Sequence, residues 1–130
     1  MKRAIFDASF FLSFLLPDEK TNREIIREFI EGDLLLVEPP IFNLEVVNAL
    51  RYAFTSKRIP KAELTKLIKS FQELNNIDYV HDFDLSNLTK ISLKFDISIY
   101  DACYLYLAQK TGLKLYTLDK KLARSGQSKQ

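Results

Sequence analysis

Short apolar runs alternate along this chain with longer stretches of helical periodicity, and that alternation restricts the folds open to it. Residues 3–6, 34–37, 77–80 and 113–117 are of strand length. The first two are apolar almost throughout, the mark of strands buried on both faces. Helical segments are predicted at 8–16, 18–31, 41–57, 61–74, 84–94 and 98–111, with a last short one starting near Asp119. Segment 18–31 is amphipathic, with Ile25, Ile26, Phe29 and Ile30 on one side. Pro17, Gly32 and Gly112 supply stops. Parallel strands need long crossover connections, usually helices, so this order implies a parallel sheet. The expected fold is α/β: a single-domain three-layer sandwich in which helices flank a short parallel sheet of four strands, or five. The domain is expected over residues 1–124, with a short polar tail at 125–130.

A chain of 130 residues can bury a real core. Hydrophobic residues make up 47% and charged residues 28%, which excludes a disordered chain. The net charge of +2 excludes a bulk polycation, so nucleic-acid affinity would have to come from local patches. The single Cys103, in an apolar run, reads as a small core residue, and a reducing, cytoplasmic setting fits it. Met1-Lys2-Arg3 and the apolar stretch to Leu16 resemble the start of a signal peptide. Asp7 interrupts that stretch, however, and Pro17-Asp18-Glu19-Lys20 offers no small-residue cleavage site. The stretch is also shorter than the roughly 20 apolar residues of a membrane span. Neither a signal nor an anchor is expected.

Four acids lie in or at the edge of apolar segments: Asp7, Glu45, Asp101 and Asp119. A buried carboxylate is costly unless it is paired or coordinates a metal. No matching set of Lys or Arg occupies the same segments. Asp7 and Asp119 each follow a predicted strand, so both point to the carboxyl edge of the sheet, where sites form in open parallel sheets. Glu45 and Asp101 fall early in predicted helices, whose N-termini favour anions. Each acid also has an ordinary reading. Asp7 and Asp119 could simply cap helices, Ser98 and Asp101 match a capping box, and Glu45 could sit on a narrow solvated strip. If the fold brings the four together, a divalent cation is the economical explanation. Asn48, one turn after Glu45, could then orient it or a bound water.

Other chemistry is poorly supported. His81 is the only histidine, and it reads as a loop residue. Zinc spacing, a phosphate-binding Gly-rich loop and a nucleophile elbow are all absent. Ser9 and Ser13 lack a histidine base. Tyr100, Tyr104 and Tyr106 read as core packing or a dimer face rather than a base-stacking platform.

At Phe6-Asp7-Ala8-Ser9, Leu44-Glu45-Val46-Val47-Asn48-Ala49-Leu50, Ile97-Ser98-Ile99-Tyr100-Asp101-Ala102 and Tyr116-Thr117-Leu118-Asp119-Lys120-Lys121-Leu122, the chain resembles PIN-domain ribonucleases. It is most similar to the toxins of VapBC toxin–antitoxin pairs. The resemblance runs from about Ile5 to Ala123. It implies a PIN-like fold and an acidic pocket that binds one or two Mg²⁺ or Mn²⁺ ions and hydrolyses RNA. Asp7, Glu45, Asp101 and Asp119 would be the catalytic, metal-binding quartet, with Ser9 and Thr117 as flanking polar residues. It further implies a homodimer and a small antitoxin that inserts into the active-site groove. One departure is plain: only a short polar stretch follows Leu122, where family members commonly add a further strand.

Such chemistry needs clustered carboxylates neutralised by a cation and a metal-activated water as nucleophile. RNA also needs basic flanks. Lys120, Lys121 and Arg124 border the expected site and are better placed than Lys57, Arg58 and Lys61. Two rival readings are a PIN-like binding module without catalysis and an aspartate-based phosphoryl-handling domain. The intact quartet argues against the first. Against the second, the first strand is followed by a single acid rather than an acidic cluster. A stand-alone RNA-processing nuclease without an antitoxin is a further alternative.

Overall fold

The computed structural model describes residues 1–16 and 23–127. In chain order the elements are β1 (Lys2–Phe6), α1 (Ala8–Leu15), α2 (Arg23–Ile30), β2 (Leu34–Glu38), α3 (Phe42–Thr55), α4 (Lys61–Gln72), β3 (Ile77–Tyr79), α5 (Leu85–Phe95), α6 (Ile99–Thr111), β4 (Leu115–Tyr116) and α7 (Lys120–Gln127). The first five residues of the helix expected at 18–31 lie outside the described residues.

All four strands run parallel in the order β3-β2-β1-β4. The chain steps outward from β1 to β2 and β3, then crosses to the other side of β1 to form β4. The reversal falls between β1 and β4, and ligands of open α/β sheets bind at such switch points, beyond the carboxyl ends of the strands. Asp7 and Asp119 follow these two strands.

Successive β1 residues Ala4, Ile5 and Phe6 are all buried, although neighbours in a strand face opposite ways, so helices cover both faces of the sheet. One apolar cluster joins the strands to α1, α2, α3 and α4. A second, built on Leu88, Ile91, Ala102, Leu105 and Leu122, joins α5, α6 and α7. Phe11 is the hub of the first. Its ring meets those of Phe14, Phe29, Phe42 and Phe71 at centroid distances of 4.9, 5.8, 5.3 and 5.3 Å.

The four-strand alternative is the one observed among the described residues. β4 is shorter than the expected 113–117: its pairing with β1 is confined to Ile5↔Leu115 and Phe6↔Tyr116, and β1 ends at Phe6, which leaves Thr117 without a strand partner there. After Asp119 the chain continues as a helix, and the expected tail boundary at 124/125 falls inside it. Ser125 is buried there, its hydroxyl donating to the Lys121 carbonyl at 2.9 Å. Among the described residues, no helix is long and apolar enough to cross a membrane.

Candidate active site

Capping chemistry aims the acids. Asp7 caps α1, one carboxylate oxygen accepting the Phe10 N–H at 2.9 Å and the Ser9 hydroxyl at 2.7 Å. Its second oxygen accepts the Thr117 hydroxyl. The two hydroxyls are themselves acceptors: Ser9 Oγ takes the Leu118 N–H at 3.2 Å and Thr117 Oγ1 takes the Asp119 N–H at 3.0 Å. Ser9 and Thr117 therefore hold the Asp7 carboxylate and the loop bearing Asp119 in one network. Asp119 then caps α7 through the N–H groups of Lys121 and Leu122, at 2.9 and 3.1 Å. At α6, the Asp101 N–H donates to Ser98 Oγ at 3.0 Å, so half of the expected capping box is present.

For Asp7 and Asp119 the ordinary reading and the site reading are thus compatible, because each carboxylate caps a helix and faces the same cleft. Asp7, Glu45, Asp101 and Asp119 line a single open cleft of about 270 Å³ together with Ala8, Ser9, Asn48 and Tyr104. Larger hollows, lined mainly by apolar side chains, contain none of the four.

Two residues near the site were not anticipated in these roles. Tyr104, buried in α6 and so part of the core as expected, also reaches the cleft. Its hydroxyl donates to Glu45 Oε1 at 2.5 Å. Glu38, at the end of β2, is fully buried, and its carboxyl accepts the Phe6 N–H at 2.9 Å. An acid closing a buried apolar run is the signal that marked Asp7, and it was present at Leu34-Leu35-Leu36-Val37-Glu38 too. Tyr104 gave no comparable signal.

None of the four cleft acids forms an ion pair with Lys or Arg among the described residues. Burial is the main force raising the pKa of Asp7, opposed by the bonds from Thr117, Phe10 and Ser9 and reinforced by repulsion from Asp119. Burial also raises Glu45, against the Tyr104 hydrogen bond and with repulsion from Asp101 and Asp7. Asp101 is raised by burial and then by Asp119 and Asp7. Carboxylates pushed up in this way favour either protons or a cation. Four carboxylates beside two hydroxyls and an amide are an all-oxygen donor set suited to a hard divalent ion. Among the described residues, no group of three or more His, Cys, Asp or Glu stands ready-made to hold one.

These shifts carry a consequence for stability. An acid with a raised pKa binds more protons folded than unfolded, so stability falls as pH rises above the ordinary values of 3.8 for Asp and 4.5 for Glu. Without divalent ions, Asp7→Asn is expected to melt a few degrees above wild type at pH 7. That gain should shrink as the pH approaches 4. Thermal melts across this window check it, and a gain independent of pH would contradict it.

Lys120 and Lys121 are exposed at the start of α7, next to Asp119, and Lys121 pairs with Asp96 at 3.3 Å. Arg124 is one turn further along the same helix. Lys57 lies twelve residues beyond Glu45, about 18 Å along the axis of a helix, so the α7 group is the nearer one. His81 is exposed, as expected of a loop residue. The Cys103 thiol is half-buried and shifted upward by burial and by Glu45, which keeps it protonated and poorly nucleophilic.

The fold has counterparts among known proteins. The PIN-domain family model matches residues 4–127, and the chain belongs to the PIN-domain family. Among curated proteins, it is 26% identical over 123 residues to Ribonuclease VapC3 of Pyrobaculum aerophilum, covering 93% of this chain and 92% of the relative. The crystal structure of PAE2754 from Pyrobaculum aerophilum superposes with a TM-score of 0.73 at 20% identity, over 96% of this chain and 84% of that one. Mycobacterium tuberculosis VapC20, described as a toxin cleaving the sarcin–ricin loop, gives 0.65 at 12% identity over 95% of both chains. At these identities the two structures speak for the fold.

Proposed function

We propose that this protein is a metal-dependent endoribonuclease and the toxin of a toxin–antitoxin pair. The observation that carries the reading is the meeting of four carboxylates from four separate segments in one open cleft with no cationic partner among the described residues. Membership of the PIN family and likeness to a protein named as a ribonuclease support the same chemistry. Asp7, Glu45, Asp101 and Asp119 are the metal-binding and catalytic acids, holding one or two Mg²⁺ or Mn²⁺ ions. When bound, such an ion lowers the pKa of water and stabilises charge on the scissile phosphate. The protein's own residues do the rest. Ser9 and Thr117 orient Asp7, Tyr104 orients Glu45, and Asn48 offers an amide to a bound water or to the substrate. Lys120, Lys121 and Arg124 draw the RNA backbone towards an otherwise repellent cleft.

The reading includes a cytoplasmic homodimer and a small antitoxin partner. Leu85 and Leu93 on α5, with Tyr100 at the start of α6, are exposed apolar side chains available to another chain. The competing reading, a PIN fold that binds without cleaving, is disfavoured by the retention of all four acids.

Purified protein incubated with single-stranded and hairpin RNAs is expected to cleave in millimolar Mg²⁺ or Mn²⁺. Excess EDTA should reduce cleavage to background, and added Mn²⁺ should restore it. Cleavage that persists in EDTA, or its absence with every RNA and both metals, would sink the nuclease reading.

A further inference from the structure

Glu38 is buried without an evident reason. It has no exposed surface, one carboxyl oxygen accepts the Phe6 N–H, and the other has no partner. Burying a half-satisfied carboxyl costs free energy that an apolar residue would avoid.

Its place in the sheet supplies a reason. β1 and β2 pair through Lys2↔Leu34, Arg3↔Leu35 and Ala4↔Leu36, and there the pairing stops. On the β4 side, the N–H groups of Ile5 and Asp7 donate to the Lys114 and Tyr116 carbonyls at 3.0 and 3.1 Å. The N–H of Phe6 therefore points the other way, towards β2, where it meets the Glu38 side chain rather than a strand carbonyl. A side chain reaches further than a backbone carbonyl, so the two strands separate at the edge where the cleft opens.

Glu38 is itself anchored. Its carbonyl accepts the Val80 N–H at 2.8 Å, and the following Pro39 accepts the Phe42 N–H at 3.0 Å, at the start of the helix that carries Glu45. We propose that Glu38 is a positioning residue of the acidic cleft: its side chain holds the end of β1, and with it Asp7, at a fixed spacing from the segment leading into Glu45. Its consequence for catalysis rests on the nuclease reading above. Burial, with repulsion from Asp7 and Glu45, raises the Glu38 pKa well above the ordinary value. Glutamine reproduces the shape and the acceptor of the side chain, whereas leucine keeps the bulk and removes the acceptor.

The test compares Glu38→Gln and Glu38→Leu in the full chain by amide hydrogen exchange, Mn²⁺ calorimetry and RNA cleavage. Glu38→Gln is expected to keep slow exchange at Phe6 and Asp7, wild-type Mn²⁺ affinity and wild-type cleavage. Glu38→Leu is expected to fold but to exchange quickly at these two amides. Its Mn²⁺ affinity should fall about 10- to 100-fold, the range for residues that orient metal ligands. The Mn²⁺ needed for half-maximal cleavage should rise in parallel. If Glu38→Leu does not fold, Glu38→Met provides the same comparison. Unchanged exchange and affinity in the apolar variant would overturn the proposal, as would a Glu38→Gln variant as impaired as Glu38→Leu. Failure of the nuclease reading shows up separately, as wild-type protein that neither binds Mn²⁺ nor cleaves. The exchange comparison then decides the positioning role alone.

Discussion

Asp101→Asn is expected to abolish RNA cleavage, by about three orders of magnitude or more, while leaving the fold intact. Groups that act as a unit lose most of their joint effect when one is removed, and a neutral amide is a poor substitute for a carboxylate towards a hard cation. The fold should tolerate the change because the cap at this helix is made by Ser98 Oγ and the Asp101 backbone N–H, which the substitution leaves untouched. The amide is also nearly isosteric with the acid, and one unit of repulsion with Asp7 and Asp119 disappears. Wild type and variant, purified identically, are compared for cleavage in Mn²⁺ and for thermal melting. Equal cleavage by both would mean that the activity belongs to a contaminant or that the cleft is not the site. A variant that loses activity and stability together would leave the chemistry unassigned, and Asp7→Asn would then be decisive. Asparagine caps a helix about as well as aspartate, so α1 keeps its start while the cleft loses a charge.

Phe11→Ala is expected to destabilise the protein by about 3–5 kcal/mol, the usual range for emptying a buried aromatic position. Phe11 is 1% exposed and its ring contacts aromatic side chains from α1, α2, α3 and α4. Against a total stability of roughly 5–15 kcal/mol for an ordinary domain, the variant should be extensively unfolded at 37 °C or should fail to accumulate. Leu44→Ala, at a position 70% exposed, is the matched control and should shift stability by less than about 0.5 kcal/mol. Urea unfolding of the three proteins gives the comparison. A small loss at Phe11 would mean that the aromatic cluster repacks, and that Phe42 or Phe71 is the true centre.

The sheet and the ring of acids were legible because simple rules placed them. A strand buried on both faces reads as an unbroken apolar run, and an acid immediately after it points to the carboxyl edge, which located Asp7 and Asp119. Glu45 and Asp101 were legible as acids near helix starts, although only the fold brings those starts together. The burial of Glu38 was not legible, because Pro39 and Pro40 mark the end of the strand and place the acid just outside it. Tyr104 could not be given its partner from sequence, since it meets Glu45 across 59 residues. The length of β4 was misjudged for a similar reason. Leu113 to Thr117 has strand character throughout, but only Leu115 and Tyr116 pair with β1, which ends at Phe6.

The fastening of Asp7 orders events during synthesis. The acid follows β1, yet one of the two hydroxyls that grip it belongs to Thr117, 110 residues later. The loop that Ser9 grips in return arrives at Leu118. Until β4 and α7 have emerged from the ribosome, the chain lacks the strand that pairs with β1 on that side and the segment that bears Asp119. It cannot close the cleft. The stretch from Thr117 to Asp119 supplies one acid and fastens another, so a chain interrupted before Thr117 has neither of the two in place.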